Sequence, residues 1–481
     1  VTRPPPTLRA EAVVIGSGPG GSITAALAAE AGRDVLLIEE GPFLPLESCT
    51  PFTRGEMVQK YRNGGITAAL GPAKVNYVEG RCVGGGSEIN SGLYHRTPGD
   101  ILERWRRDFA VAELHEADLL PHWEACERDV SVGLLPGAAP PASLKLHDGA
   151  ARLGWKSLEV PRWFRYEPQP DPAAVPRGTR QSMTKTFVPR FLAAGGRLLP
   201  DTRVVGLRRD GGGWTVVVRH AAAGRVEIAA GTVFVAAGAI QTPALLRRSG
   251  VTAAVGDSLA MHPTVKVVAR FAEPVNNPGM GVPVHQVKEF APRFSFGCSI
   301  SSPPHLGLAM ADVPGGMELV REHWRHMAVY YAMIAADAPG DIRPVPGFAD
   351  PLVRYRLADA HMRELAEALA KLCRALLAAG AEELYPSVTG LASVRSGADA
   401  DELPDRLPFG RTQLMTIHLM GTTPMGEDRR RCAADSFGRV HGVPGLHIAD
   451  AGLLCGPPGV NPQGSVMAVA RRNVLRWLGA G

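Results

Sequence analysis

The chain has 481 residues, 45% hydrophobic and 21% charged, with 52 basic against 47 acidic side chains and a net charge of +5. This length suits one two-domain enzyme, or two to three domains around sizeable cores, and the composition is that of a soluble globular protein. So small a positive surplus, spread along the chain, excludes an electrostatic nucleic-acid footprint; the longest basic run, Arg429-Arg430-Arg431, follows Glu427 and Asp428 and reads as a solvated loop.

Seven cysteines (Cys49, Cys82, Cys126, Cys298, Cys373, Cys432, Cys455) are scattered without a CxxC pair, so neither a metal site nor a redox dithiol is signalled. No basic segment followed by an apolar run opens the chain. The apolar stretch Ala12–Ala29 is broken by glycines and a proline. No membrane span is therefore expected, and a cytoplasmic location is the default.

In chain order, Ala12–Ile15 reads as a buried strand, followed by Gly16-Ser-Gly18-Pro-Gly20-Gly21, a helix over Ser22–Ala31, and a second strand Val35–Ile38 closing on Glu39. In this strand–turn–helix–strand unit Gly16 permits the tight turn, Gly18 lets the backbone approach a pyrophosphate, and Gly21 lets helix and strand pack closely. The diphosphate would sit on the helix N-terminus, where free N–H groups and the dipole favour anions. Glu39, 18 residues past Gly21, is placed to accept hydrogen bonds from an adenosine ribose, and a carboxylate there disfavours NADP. Alone, the glycine pattern does not separate FAD from NAD.

A second glycine-rich loop follows, Gly80-Arg-Cys-Val-Gly84-Gly-Gly-Ser87-Glu-Ile-Asn90. Gly84, Gly85 and Gly86 suit a backbone that must lie against a ligand without a Cβ clash. Farther on, Trp214–Arg219 and Arg225–Ala229 predict a hairpin around Ala221–Gly224, and a separate strand Thr232–Ala236 ends at Ala237-Gly238. Such a meander returning to a glycine-ended strand resembles FAD folds of the glutathione-reductase type. No second GxGxxG appears, so a separate NAD domain is not expected. Val265–Phe271 and Ala328–Ile334 read as strands of an antiparallel sheet, and His361–Ala379 as an amphipathic helix with Leu365, Leu369, Leu372, Leu376 and Leu377 on the face that covers it.

The C-terminal region combines His418-Leu-Met-Gly421-Thr, Asp450-Ala-Gly and Gly459-Val-Asn-Pro462. His418 ends an apolar run, Leu414–Ile417, and is a candidate base; Asn461, 43 residues later, is a candidate hydrogen-bonding partner. Read alone, Asn-Pro merely starts a turn.

Four blocks together resemble the glucose-methanol-choline (GMC) oxidoreductases: the fingerprint through Val35-Leu-Leu-Ile-Glu39-Glu-Gly41, the Gly80–Asn90 loop, Gly238-Ala-Ile-Gln-Thr-Pro243-Ala-Leu-Leu-Arg-Arg-Ser249-Gly250, and the C-terminal region. GGGSxxN and GVNP are most similar to the cholesterol oxidase, long-chain alcohol oxidase and sugar dehydrogenase branches. The resemblance implies an α/β fold: a Rossmann-like FAD-binding domain (8–94, 186–262 and 431–481) interleaved with a substrate domain on an antiparallel sheet (95–185 and 263–430). Lid segments are expected within Pro42–Gly71 and Pro136–Pro189, since loops this long are often functional. It assigns FAD contacts to Gly16, Gly18, Gly21, Glu39, Arg81, Gly85, Ser87, Asn90, Val204, Asp450, Ala451 and Pro462. Where some members tether the flavin through His, this chain has Ile89, which implies non-covalent FAD.

The implied chemistry is oxidation of an alcohol. His418 accepts the hydroxyl proton as hydride moves to flavin N5, and Asn461 holds the developing alkoxide. Electrons then pass to dioxygen or another acceptor. The substrate half carries no matching block, so the small-molecule alcohol stays open among a sterol, a long-chain alcohol, a sugar and a natural-product hydroxyl such as that of an aminoglycoside. Two alternatives stand beside this: a flavin-containing lyase acting on cyanohydrins, and a flavin-binding protein without catalysis, which retention of His418 and Asn461 disfavours. His262 and His441 match structural turns of the family. His95 could line the pocket, with surface hydrogen bonding the preferred reading.

Overall fold

In this computed structural model the residues described are 8–168, 177–278, 280–281 and 283–479. Strand Leu8–Ile15 is apolar at consecutive positions because both of its faces are covered. Ala12 and Val14 enter a core with Ile23, Ala26, Phe234 and Met467, whereas Val13 and Ile15 enter another with Leu36, Val233 and Trp105. The strand pairs in parallel with Val35–Ile38 on one side and Gly224–Val235 on the other. Arg197–Leu199 and Leu446–Ile448 extend the parallel set outward. Helix Pro19–Glu30 follows the first strand, as expected, with helix Gln463–Leu478 packed beside it.

The hairpin is present, but its second arm and the returning strand are one element. Gly224–Val235 runs 12 residues, pairing antiparallel with Gly213–His220 and, farther along, parallel with Leu8–Ile15. The expected break at Ala230-Gly231 does not form, because the ladder to Leu8–Ile15 is already under way at Ile228.

A second sheet has nine strands. Its order is Thr67–Ala69, Val75–Tyr77, Leu414–Thr416, Thr264–Phe271, Met327–Ile334, Phe294–Cys298, His285–Val287 and Ser157–Glu159, with Ala381–Pro386 also paired to Thr264–Phe271. Most pairings are antiparallel; Val75–Tyr77 meets Leu414–Thr416 in parallel. Helix Asp359–Ala378 lies on one face, and Leu365, Leu369, Leu372 and Leu376 are fully buried against Val265, Val267, Phe296 and Ile334. Each leucine contributes roughly 1.5–3 kcal/mol on burial. The opposite face of this sheet carries Lys266, Tyr331 and Gln286, and it builds the site.

Two stretches lie on the other side of the expected domain boundary. The Thr67–Tyr77 hairpin, expected in the cofactor domain, joins the second sheet through Val75–Tyr77. Helices Gly99–Phe109 and Glu116–Asp129, expected in the substrate domain, bury Ile101, Leu102, Trp105, Leu119 and Trp123 in a core shared with the first sheet. Amphipathic periodicity fixes which face of a helix is buried, and says nothing of which core receives it.

Of the expected lids, Pro42–Gly71 contains helix Arg54–Lys60, with Glu56 and Lys60 both buried, so it is a built element of the domain. Pro136–Pro189 contains helix Pro141–Arg152 and short strands; its residues 169–176 lie outside those described. Among the described residues no helix is long and apolar enough to cross a membrane.

Candidate active site

The two glycine loops meet. A Cβ on Gly16 would lie 2.3 Å from the Ala236 carbonyl oxygen, and one on Gly21 would lie 1.9 Å from that of Gly16, so the turn and the helix–strand approach admit only glycine. A Cβ on Gly85 would lie 2.9 Å from Gly18 Cα. Ser17, between the first two glycines of the fingerprint, fastens these parts together. Its hydroxyl donates to Glu39 Oε2 (2.7 Å) and accepts from the Gly84 N–H (3.0 Å).

Glu39 also receives the N–H groups of Ser17 (3.0 Å) and Gly41 (2.9 Å). Burial raises its pKa, against the pull of these donors. Its Oε1 holds a single protein donor, which leaves acceptor capacity for a ribose hydroxyl.

No side chain caps helix Pro19–Glu30, and a Cβ on Gly18 or on Gly86 would meet nothing within 4 Å. Open space therefore stands before an N-terminus with free N–H groups, which is where a diphosphate fits. Val204 sits beside a register shift between Val204 and Gly206 that takes Val205 out of the ladder, next to Glu39 through the Thr202 N–H to Glu39 O bond. Arg81 is half-exposed at the same end, 3.4 Å from Glu40.

Two expected cofactor ligands are engaged differently. The buried Ser87 hydroxyl donates to Gly84 O (2.7 Å) and accepts from the Met183 N–H (3.0 Å), so its side chain braces the loop. Asp450 takes donors from Gly238 N–H (2.9 Å), Thr242 Oγ1 (2.5 Å) and Gly452 N–H (2.7 Å). That carboxylate ties its own turn to the segment Gly238–Thr242, and its Oδ1, like Glu39 Oε1, holds a single protein donor. Ala451 opens the short helical turn behind it. Asn90 donates to Gln463 Oε1 (2.7 Å), fixing the second glycine loop to the helix that begins after Pro462.

His418 follows strand Leu414–Thr416, whose ladder with Thr264-Val265 continues into the Ala260–Met420 and Met261–Leu419 pairs. Antiparallel register thus sets His418 opposite His262. Their Nδ1 atoms are 2.9 Å apart and the rings meet edge to face. On the other side, His418 Nε2 lies 3.2 Å from the Asn461 amide nitrogen. The expected pair is therefore in contact, and His262 is more than a turn residue, because it touches the candidate base.

The chain of contacts continues. Gln286 meets Asn461 (Nε2 to Oδ1, 3.2 Å) and Tyr331 OH (3.3 Å), and its Oε1 lies 3.2 Å from His95 Nε2. His95 is thereby a pocket residue, which corrects the surface reading. Gly297 permits this arrangement, since a Cβ there would lie 2.4 Å from the Tyr331 hydroxyl. The Gly459 peptide is gripped from both ends: its N–H donates to His262 Nε2 (3.0 Å), and its carbonyl accepts from Lys288 Nζ (3.3 Å). His441 bonds Gly426 O at 2.9 Å and stays structural.

A backbone N–H can only donate, so His262 accepts at Nε2, and as a neutral ring it carries its proton on Nδ1 and gives it to His418 Nδ1. The resting His418 then holds its own proton on Nε2, facing Asn461, with the side-chain amides oriented to match. Neutral rings agree with the electrostatics. Burial, then the Lys288 ammonium, pulls His418 to about 3. Burial drives His262 well below its ordinary value and takes His95 to about 3. Sequence reasoning missed Gln286, Lys288 and Tyr331. All three lie in the second sheet or just beyond one of its strands, and no local motif marks them.

The sequence profile of the GMC oxidoreductases matches residues 57–264 and 346–470, and that of NAD(P)-binding Rossmann-like domains matches 14–50. An uncharacterized GMC-type oxidoreductase of Sinorhizobium fredii is 40% identical over 97% of this chain and 94% of its own. A long-chain-alcohol oxidase of Arabidopsis thaliana is 25% identical over 98% and 68%, and the 6'''-hydroxyparomomycin C oxidase of Streptomyces lividus is 24% identical over 95% and 89%. Among solved structures, pyridoxine 4-oxidase from Mesorbium loti superposes with a TM-score of 0.72 at 17% identity, over 97% of this chain and 99% of the other. Formate oxidase of Aspergillus oryzae gives 0.75 at 16%, over 97% of each. The profile matches, together with 40% identity along almost the whole of a relative, make this chain a member of the GMC oxidoreductase family.

Proposed function

We propose that the protein oxidises an alcohol to an aldehyde or ketone, with His418 as proton acceptor and Asn461 as the group that holds the carbinol oxygen. FAD, the cofactor of this family, supplies the hydride acceptor when bound, and its electrons leave to dioxygen or another oxidant. The observation that carries the reading is the part-buried contact of a neutral His418 with Asn461 at 3.2 Å, on the loop before helix Gln463–Leu478. Relatives named as a long-chain-alcohol oxidase and a 6'''-hydroxyparomomycin C oxidase agree with a CH–OH donor.

An alcohol is a very weak acid, and its C–H bond gives up hydride readily only when the hydroxyl proton has somewhere to go. His418 can take it at Nε2 in the tautomer that carries hydrogen on Nδ1. His262 must then accept at Nδ1 and bear its own proton on Nε2, which gives up the Gly459 N–H bond at a cost of about 1–3 kcal/mol. Asn461, neutral at every pH, donates to oxygen as negative charge develops there. Ser17, Glu39 and the uncapped helix N-terminus fit the adenosine and diphosphate of FAD. Ile89 is aliphatic and buried where a tethering His would stand, so the flavin is held non-covalently.

The test is anaerobic stopped-flow of flavin bleaching by an alcohol panel. His418→Ala is expected to slow reduction by roughly 10²–10⁴-fold at equal flavin loading, and Asn461→Ala by less. A His418→Ala protein that reduces its flavin at the wild-type rate overturns the assignment.

A further inference from the structure

The face of the second sheet that carries the site has a basic row. Register places Lys266 opposite Tyr331, Tyr331 opposite Gly297, and Gly297 opposite Gln286. These four share a face, because directly paired residues point the same way. Gln286 and Tyr331 are bonded to each other, and Gln286 to Asn461, so this is the face that borders His418. Thr264, Lys266, Tyr331 and Met415 all keep part of their surface accessible, although they lie on central strands of a nine-stranded sheet. These partly accessible positions run along the strand away from His262; four residues of extended chain, about 13 Å, separate His262 from Lys266.

The charges in this space have one sign. The Lys266 side chain is partly buried and has no hydrogen-bond or ion-pair partner among the described residues; desolvation is the only influence on it. Lys288 is likewise partly buried, and its amine meets a backbone carbonyl alone. The influences on His95, His262, His305 and His418 are burial, Lys266, Lys288, one another and the neutral Gln286. No carboxylate among the described residues acts on any of these six groups. Burial lowers both amines to about 8, which still leaves them protonated at neutral pH. A partly desolvated ammonium without a counter-ion is costly, and a fold that keeps one leaves the pairing to a ligand.

We propose that the alcohol this enzyme oxidises carries an anionic group, a carboxylate or a phosphate or sulfate ester, remote from its carbinol carbon, and that Lys266 is the specificity residue that pairs with it. The proposal rests on the alcohol-oxidation reading of His418 and supplies the substrate class. Neutral long-chain alcohols leave Lys266 uncompensated, and a polycationic aminoglycoside meets charge of its own sign.

The test begins with binding, which needs no turnover. FAD-loaded protein is titrated with octanoate, octanol and octylamine, with the visible flavin spectrum as reporter. One charge-assisted hydrogen bond predicts octanoate binding about 10–100-fold more tightly than octanol, with octylamine weakest. In Lys266→Met the octanoate-to-octanol ratio should fall toward one, and Lys266→Arg should restore it. Equal wild-type binding of octanoate and octylamine overturns the proposal even if the variants fail to fold, as does an octanoate preference that survives in Lys266→Met. Anaerobic bleaching by a chain-length series of ω-hydroxycarboxylates against the matching diols then separates the two readings. Faster reduction by the hydroxycarboxylates supports both. Lys266-dependent carboxylate binding with no bleaching by any member of either series upholds the anion subsite and removes the alcohol-oxidase reading on which it was built.

Discussion

Replacing Asn461 by Asp should convert a reaction insensitive to acid into one that fails below a defined pH. The amide nitrogen of Asn461 lies 3.2 Å from His418 Nε2, and His418 is held neutral with a pKa near 3 by burial and by Lys288. A carboxylate at that distance, in an effective dielectric of about 20, favours the imidazolium by about 5 kcal/mol, or nearly four pKa units. Part of this is offset. A doubly protonated His418 donates from Nδ1 as well, so His262 must accept there and lose the Gly459 N–H bond, about 1–3 kcal/mol. The balance puts His418 of Asn461→Asp between about 5 and 6. A base works only while unprotonated, so wild-type flavin reduction should be flat from about pH 5 to 7, whereas Asn461→Asp should fall tenfold per unit below its new pKa and level off above it. Asn461→Ala, which removes the amide without adding charge, should be slower and flat. The assay is anaerobic stopped-flow reduction across pH with flavin loading matched by absorbance. An Asn461→Asp profile parallel to the wild type would refute both the contact and the depressed pKa of His418.

Acid should also destabilise the fold. His262 and His418 titrate below their unfolded value of about 6.5, so between that pH and their folded values the unfolded chain binds more protons and stability falls as pH drops, by about 2 kcal/mol for each ring at about pH 5; urea midpoints that match at the two pH values would show the rings are not buried neutral. Glu39→Gln should weaken FAD binding by at least about tenfold, since it replaces a charged acceptor of the Ser17 and Gly41 donors and of the ribose; titration of apo-protein with FAD measures this, and an unchanged affinity removes Glu39 from the ribose site. Acid precipitation should leave the flavin in the supernatant, because Ile89 offers no nucleophile; colour retained in the pellet would contradict non-covalent binding.

The sequence by itself determined the elements whose signal is local. Gly16, Gly18 and Gly21 between two apolar runs specify a strand–turn–helix unit: at Gly16 and Gly21 the backbone approaches leave no room for a Cβ, and Gly18 borders the open space before the helix. The leucine period of Asp359–Ala378 likewise specifies a buried helical face. The motifs around His418 and Asn461 named a pair that is in fact in contact. Tertiary structure alone decided the rest. Which core receives helices Gly99–Phe109 and Glu116–Asp129 depends on surfaces far away in the chain, so the domain boundary shifted. Ser87 looks like a ligand in sequence, yet its hydroxyl donates to Gly84 O and accepts from the Met183 N–H, 96 residues away. Asp450 is engaged by Gly238 and Thr242, partners more than 200 residues away that only the folded chain brings near. His262 meets His418 across a strand register 156 residues apart in sequence. Gln286 and Tyr331 come together the same way, through paired neighbours in a sheet, and pairing of that kind leaves no periodic trace in the sequence of any one strand.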